Sequence, residues 1–265
     1  MKVLTRKKCA FCQQDAVERG GEHIWDTWIN DALPPLRYRA RKRYTINSPV
    51  IEADTDSLKE KLPVTCKECN NGWMSVLSEK VKDRFKRAML DAEPFSLGAR
   101  DAAILAAFTF MKAVVTNHLV DSIDGAEPFF TRAARQRFRT SLSLPPLVKC
   151  WFAAYQGEAF MSTRNNLSTI STSEPGPLYG MEFCSFSYVV GKLALQLLAP
   201  RWKRIEHRGR PLISLTPNAG WDHAGILFWP HGGSFLSWPP PEYIGDDMIQ
   251  HFIYRFNNDV TLRVS

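Results

Sequence analysis

Two cysteine pairs, Cys9-x2-Cys12 and Cys66-x2-Cys69, constrain this chain more than any other feature. Each pair is a tight turn with a thiol at either end. Two such turns can present four thiolates as a tetrahedron to a zinc ion, at sulfur–metal distances of about 2.3 Å. The 53 residues between Cys12 and Cys66 exceed the roughly 15–20 of a simple zinc ribbon, so further structure must be built between the two knuckles. Four thiolates close the coordination shell, and the expected zinc therefore holds the fold and takes no substrate. Buried free cysteines are the competing reading, but random cysteines seldom fall into two such pairs. Cys150 and Cys184 stand alone, and no apolar run of signal-peptide length follows the basic Met1–Lys8. The grouping favours metal binding in a reducing cytoplasm over disulfides.

The charge distribution singles out the same region. Residues 1–90 carry 18 Lys/Arg against 12 Asp/Glu, a balance of +6 out of the chain's +7. With 45% hydrophobic residues over 265 positions, the chain can bury a sizeable core, which excludes disordered and collagenous classes. The longest apolar stretch, Ala102–Val120, is interrupted by Lys112, Asn117 and His118. A lone spanning helix would carry Lys112 near the bilayer centre at a cost of several kcal/mol, so a buried helix and no membrane partner are expected.

The order of elements predicts an α+β protein. Glu18–Gly21 reads as a turn feeding an extended segment, Glu22–Trp28, and Leu33-Pro34-Pro35-Leu36 breaks regular structure. A basic segment follows, Arg37, Arg39, Arg41, Lys42 and Arg43, with Tyr38 and Tyr44 interleaved, and Thr45–Ile51 suits a strand. From Asn71 to Leu90, Trp73, Leu77, Val81 and Phe85 recur every four residues, the period of a helix. Pro94 and Gly98 mark residues 91–98 as a linker, dividing the chain into 1–92 and 99–265. In the second part, Ala99–Leu119 reads as a helix apolar almost all round and Thr131–Ser141 as a basic helix. Strand-like runs follow at Leu147–Tyr155, Phe160–Thr163, Met181–Val190, Ala224–Trp229 and Ser234–Trp238. Met248–Phe256 could be a strand or a short helix.

Chemistry is carried by Glu22-His23 and Asn70. His23 is the first histidine of the chain, with none following before His118. Imidazole titrates near neutrality and can take a proton from water, while a neighbouring carboxylate can hold a divalent cation. A solvated histidine is the plainer reading of that dipeptide. Asn70 follows Cys69, the last of the paired cysteines, and opens a helix. Its amide oxygen suits a hard cation such as Mg2+, and a simple helix cap is the alternative. The scattered His118, His207, His223, His231 and His251 have no paired acid or nucleophile at telling spacing.

Cys-x2-Cys, then Glu22-His23-Ile24-Trp25-x-x-Trp28, then Cys66-x2-Cys69-Asn70-Asn71-Gly72-Trp73-Met74 resembles the HNH, or ββα-metal, endonuclease family, in its zinc-knuckle branch with an EHIW…CNNGW signature. The resemblance spans about residues 7–90. It implies an N-terminal ββα-metal finger stapled by structural Zn2+ on Cys9, Cys12, Cys66 and Cys69, followed by a mixed α+β domain. Carried over by position, His23 would be the general base, and Glu22 and Asn70 would hold a catalytic Mg2+ or Mn2+. The substrate would be nucleic acid, DNA before RNA, cleaved by hydrolysis of a phosphodiester in the cytoplasm. Arg37, Arg39, Arg41, Lys42 and Arg43 would engage phosphates, the alternative being a solvated loop. Two positions depart from the pattern. Lys61 stands where the family has a middle Asn that braces the histidine's loop, which leaves Thr65 or Asn47 for that task. Asp26 replaces a common proline and would be a supporting partner or metal ligand of the site, or else a surface turn residue. The competing function is a zinc-stabilised, non-catalytic nucleic-acid-binding module. Residues 99–265 would serve as a substrate-binding, regulatory, sensing or oligomerisation unit.

Overall fold

The computed structural model describes residues 8–16, 21–33, 38–42, 51–55, 61–90, 93–124, 128–157, 161–171, 180–202, 213–217, 225–258 and 260–264. The chain is mixed α+β, and it forms two compact units: Met1–Lys86 with Met111–Ser143, and Arg87–Phe110 with Leu144–Ser265. This division differs from one made at 91–98. Thirty-three residues beyond the expected linker join the N-terminal unit. The first unit thereby holds 22 Lys/Arg and 15 Asp/Glu, a balance of +7, and the second holds 12 of each. The whole positive excess of the chain lies in the first unit.

In the first unit, β1 (Glu22–His23) is followed by α1 (Thr27–Ala32), so the expected extended segment Glu22–Trp28 is a two-residue strand and a short helix. Next come β2 (Tyr38–Lys42), β3 (Ile51–Thr55) and β4 (Lys61–Leu62). β2 and β3 pair antiparallel, with Arg39 opposite Asp54 and Arg41 opposite Glu52 in backbone register. The expected strand Thr45–Ile51 meets β3 only at Ile51, since 45–50 lie outside the described residues, as do Arg37, Arg43, Tyr44 and Asn47. β1 pairs antiparallel with β4, Glu22 opposite Leu62 and His23 opposite Lys61. Gly21 makes this pairing possible: a β-carbon there would run into the backbone of Leu62 and Pro63.

The short turn α2 (Lys67–Cys69) leads through Asn70–Met74 into α3 (Ser75–Leu90). Gly72, at φ −94° and ψ −115°, leaves the helical region and bends the chain there. Leu77, Val81, Phe85, Ala88 and Met89 bury the predicted face of α3. Trp28 packs edge-on against Phe85 at 5.5 Å and donates to Ser78 Oγ at 3.0 Å, which ties α1 to α3. The long helix α4 (Ala99–Asp124) contributes to the first unit from Met111 onward. α5 (Arg132–Ser141) starts at Thr131, whose hydroxyl accepts from Ala134 N at 3.2 Å, and ends on a left-handed Leu142.

The second unit is built on an antiparallel sheet. β6 (Lys149–Tyr155), β7 (Met161–Ser171), β8 (Gly180–Val190), β9 (Leu193–Trp202) and β11 (Ile226–Trp229) run in the order β11-β6-β9-β8-β7, and β13 (Tyr243–Ile244) adds to β6 in parallel. The central β9 is absent from the sequence expectations. It is buried on both faces and reads as a near-continuous Leu/Ala run without alternation. β5 (Phe95–Leu97) pairs with β12 (Leu236–Trp238), and β10 (Ile213–Pro217) with β14 (Val260–Val264). α6 (Asp246–Asn258) resolves the ambiguous Met248–Phe256 as helix. It buries Ile249, Phe252 and Ile253 against Ala153, Tyr155, Val189 and Ala194. Among the described residues, no helix is long and apolar enough to cross a membrane.

Candidate metal centre and the Glu22–His23 site

Folding brings the two cysteine pairs together. The Sγ atoms of Cys9, Cys12, Cys66 and Cys69 all lie within 4.8 Å of one another, and Cys12 Sγ and Cys66 Sγ are 3.4 Å apart. A regular tetrahedron with 2.3 Å arms has edges of about 3.8 Å, so the four thiols are close enough to hold a zinc ion. None is in a disulfide. The backbone prepares the cluster. Ala10 N donates to Val64 O at 2.8 Å, joining the two knuckles, and Cys69 N donates to Cys66 Sγ at 3.4 Å.

Hydrogen bonding and burial together move Cys9 and Cys69 in opposite directions. A hydrogen bond from Cys69, against the opposing effect of burial, brings Cys9 down to about 4. The same hydrogen bond, and then burial, drives Cys69 upward. Burial pushes Cys12 up to about 11. A cluster that stabilises one thiolate in this way is suited to a dication that displaces the remaining protons. Aromatic rings wall it in. Phe11, inside the first knuckle, meets Trp73 edge-on at 4.9 Å, and Phe138 of α5 lies 5.7 Å from Trp73 and 6.4 Å from Phe11.

Beside this centre lies the Glu22–His23 strand. His23 is half-buried, and Glu22 is buried. The Asn70 Nδ2 approaches Gly21 O at 3.5 Å, a long contact that brings the residue after Cys69 to the residue before Glu22. These three predicted residues therefore share one neighbourhood. The environment of Glu22 differs from that of an open metal ligand. Lys112 of α4, 1% exposed, directs Nζ to Glu22 Oε1 at 2.6 Å, to the His23 carbonyl at 2.8 Å and to Asp26 Oδ1 at 3.1 Å. Asp26 is thus no surface turn residue. It is 8% exposed and precedes α1 without capping it, because its carboxylate faces Lys112 instead.

The electrostatics follow from two buried acids around one buried base. Burial raises the Glu22 pKa, and the Lys112 charge only partly offsets this. For Lys112, burial alone would lower the pKa, but Asp26 and Glu22 outweigh it and the ammonium is stabilised. The second oxygen of Asp26, Oδ2, is buried without a hydrogen-bond partner. Carboxylate oxygens are chemically compatible with a hard cation, although Glu22 must share its carboxylate with Lys112. Thr65, one residue proposed to brace the histidine loop, buries its hydroxyl without a hydrogen bond. Lys112 was missed as a site residue. The available signal was a lysine in the middle of an otherwise apolar helix, which is almost never fully buried unless paired.

The basic segment is described in part: Arg39, Arg41 and Lys42 lie on β2. No family model matches the sequence, and neither a curated protein nor a solved structure matches it.

Proposed function

We propose that this protein is a zinc-stapled, metal-dependent nucleic-acid hydrolase of the HNH type, with its site in the first unit. The observation that carries the reading is the approach of Asn70 to Gly21, which gathers Glu22, His23 and Asn70 next to a four-cysteine cluster. A short antiparallel strand pair followed by a helix, β1, β4 and α3, agrees with a ββα arrangement. The net balance of +7 in this unit suits a polyanionic substrate, whose bound counterions it would release.

In this reading His23 is the general base. Its partly buried imidazole takes a proton from water as the water oxygen bonds to phosphorus, and the 3′ oxygen departs and takes up a proton from solvent. The products are a 5′-phosphate and a 3′-hydroxyl. Glu22 and Asn70 would hold Mg2+ or Mn2+, which would supply Lewis-acid stabilisation of charge on the phosphoryl and leaving oxygens. Arg39, Arg41 and Lys42 would meet phosphates, with Arg37 and Arg43 extending the segment in sequence. The four cysteines hold Zn2+ for folding alone.

The test is incubation of the full chain with plasmid, linear and single-stranded DNA and with RNA, in Mg2+ or Mn2+. The wild type should nick or cut, and His23→Ala should not. The commitment of Glu22 to Lys112 favours a second reading, a non-catalytic nucleic-acid-binding module. That reading wins if wild type and His23→Ala both bind in low salt and neither cleaves.

A further inference from the structure

We propose that Lys112 is a positioning residue of the Glu22–His23 site. Its buried ammonium clamps the Glu22 carboxylate, the His23 carbonyl and the Asp26 carboxylate together, and so fixes the strand that carries the imidazole. The inference deepens the hydrolase reading and rests on it for the reaction, but the clamp itself can be tested without any turnover.

Three contacts converge on one nitrogen, and an ammonium has three N–H donors. The distances of 2.6, 2.8 and 3.1 Å are each within reach of one of them. β1 is only two residues long and has one partner strand of equal length, so its own ladder provides little rigidity. Lys112 adds a restraint from outside that ladder. It binds the backbone of the residue whose side chain would act as base and the side chain of the residue before it. By occupying Glu22 Oε1, it also sets which way the carboxylate faces, as outer groups commonly do for ligating carboxylates.

The geometry is also costly, which argues against an incidental contact. Three ionisable groups are removed from water at one point, where an apolar side chain on α4 would continue the surrounding Met111, Ala113 and Val114. The segment that delivers Lys112 lies far from the finger in sequence, 90 residues from Glu22. Residues 1–92 by themselves therefore lack part of the site.

Lys112→Met tests this in the full chain, with zinc content checked in parallel. The 1H–15N resonances of the His23 ring should shift or broaden, while those of His231 in the second unit stay in place. Cleavage should fall roughly 10- to 100-fold, with affinity for DNA in the absence of divalent cation unchanged within about twofold. If Lys112→Met does not fold, Lys112→Gln takes the same measurements. An unmoved His23 signal overturns the proposal, as does cleavage within about twofold of wild type, or an equal loss of cleavage and DNA affinity. If the wild type cleaves no nucleic acid, the hydrolase reading fails, and the His23 signal alone decides the role of Lys112.

Discussion

Removing the charge of Lys112 should destabilise the first unit in a pH-dependent way. In wild type the Lys112, Glu22 and Asp26 side chains are 1%, 8% and 10% exposed, so Lys112→Met leaves two carboxylates buried with no counter-charge. Breaking a buried ion pair from one side costs about 3–5 kcal/mol, which for a chain of this size lowers the melting temperature by on the order of 10 °C. The sign of the pH effect follows from Glu22. Its folded-state pKa is raised by burial, with Lys112 opposing. A raised pKa means the folded state holds the proton more tightly. The associated stability is fullest below the ordinary carboxylate range and is lost as pH rises through the folded value. Without Lys112 the upward shift grows, so the deficit of Lys112→Met relative to wild type should be larger at pH 8 than at pH 5. Adding Glu22→Gln and Asp26→Asn should restore much of the loss and flatten its pH dependence. Urea unfolding of the wild type, Lys112→Met and the triple variant at both pH values, followed by tryptophan fluorescence, measures this. A deficit below about 1 kcal/mol, or one equal at the two pH values, would refute the three-group account.

Other consequences are open to direct measurement. Metal analysis should find one tightly held zinc per chain, and its removal by chelator, or Cys69→Ser, should abolish the near-UV dichroism of the first unit; full retention of that signal would remove the structural role of the knuckles. Phe138→Ala opens a cavity against Phe11 and Trp73, where Phe138 is fully buried. It should cost about 3–5 kcal/mol in chemical denaturation. Gly21→Ala forces a β-carbon into the Leu62 backbone and should cost about 1–3 kcal/mol; wild-type stability in that variant would contradict the β1–β4 register.

Much of the four-cysteine cluster was legible because CxxC spacing encodes its own local geometry. Two thiols three residues apart share one turn, and only their meeting with a second pair requires the fold. The face of α3 was legible for a similar reason, since Leu77, Val81 and Phe85 repeat with the helical period. The division of the chain was not. Pro94 and Gly98 mark a real break in secondary structure, yet the chain returns to the first unit at Met111. No local signal reports such a return.

Asp26 shows the limit from another side. A short acid after a short strand reads as a turn residue, and only the arrival of Lys112 from a distant helix makes it a buried ion-pair partner. β9 escaped notice because burial on both faces erases the alternation that marks a half-exposed strand.

The sequence by itself determined the four paired thiols, the Glu22-His23 dipeptide, the asparagine after Cys69 and the concentration of positive charge. Local spacing and composition carry these, and no distant contact is needed to write them down. Tertiary structure alone decided that Asn70 reaches Gly21 and that Glu22 faces an ammonium as its partner. These are pairings of groups dozens of residues apart. Burial makes them obligatory, because a charge removed from water must find its counter-charge wherever the chain can deliver it.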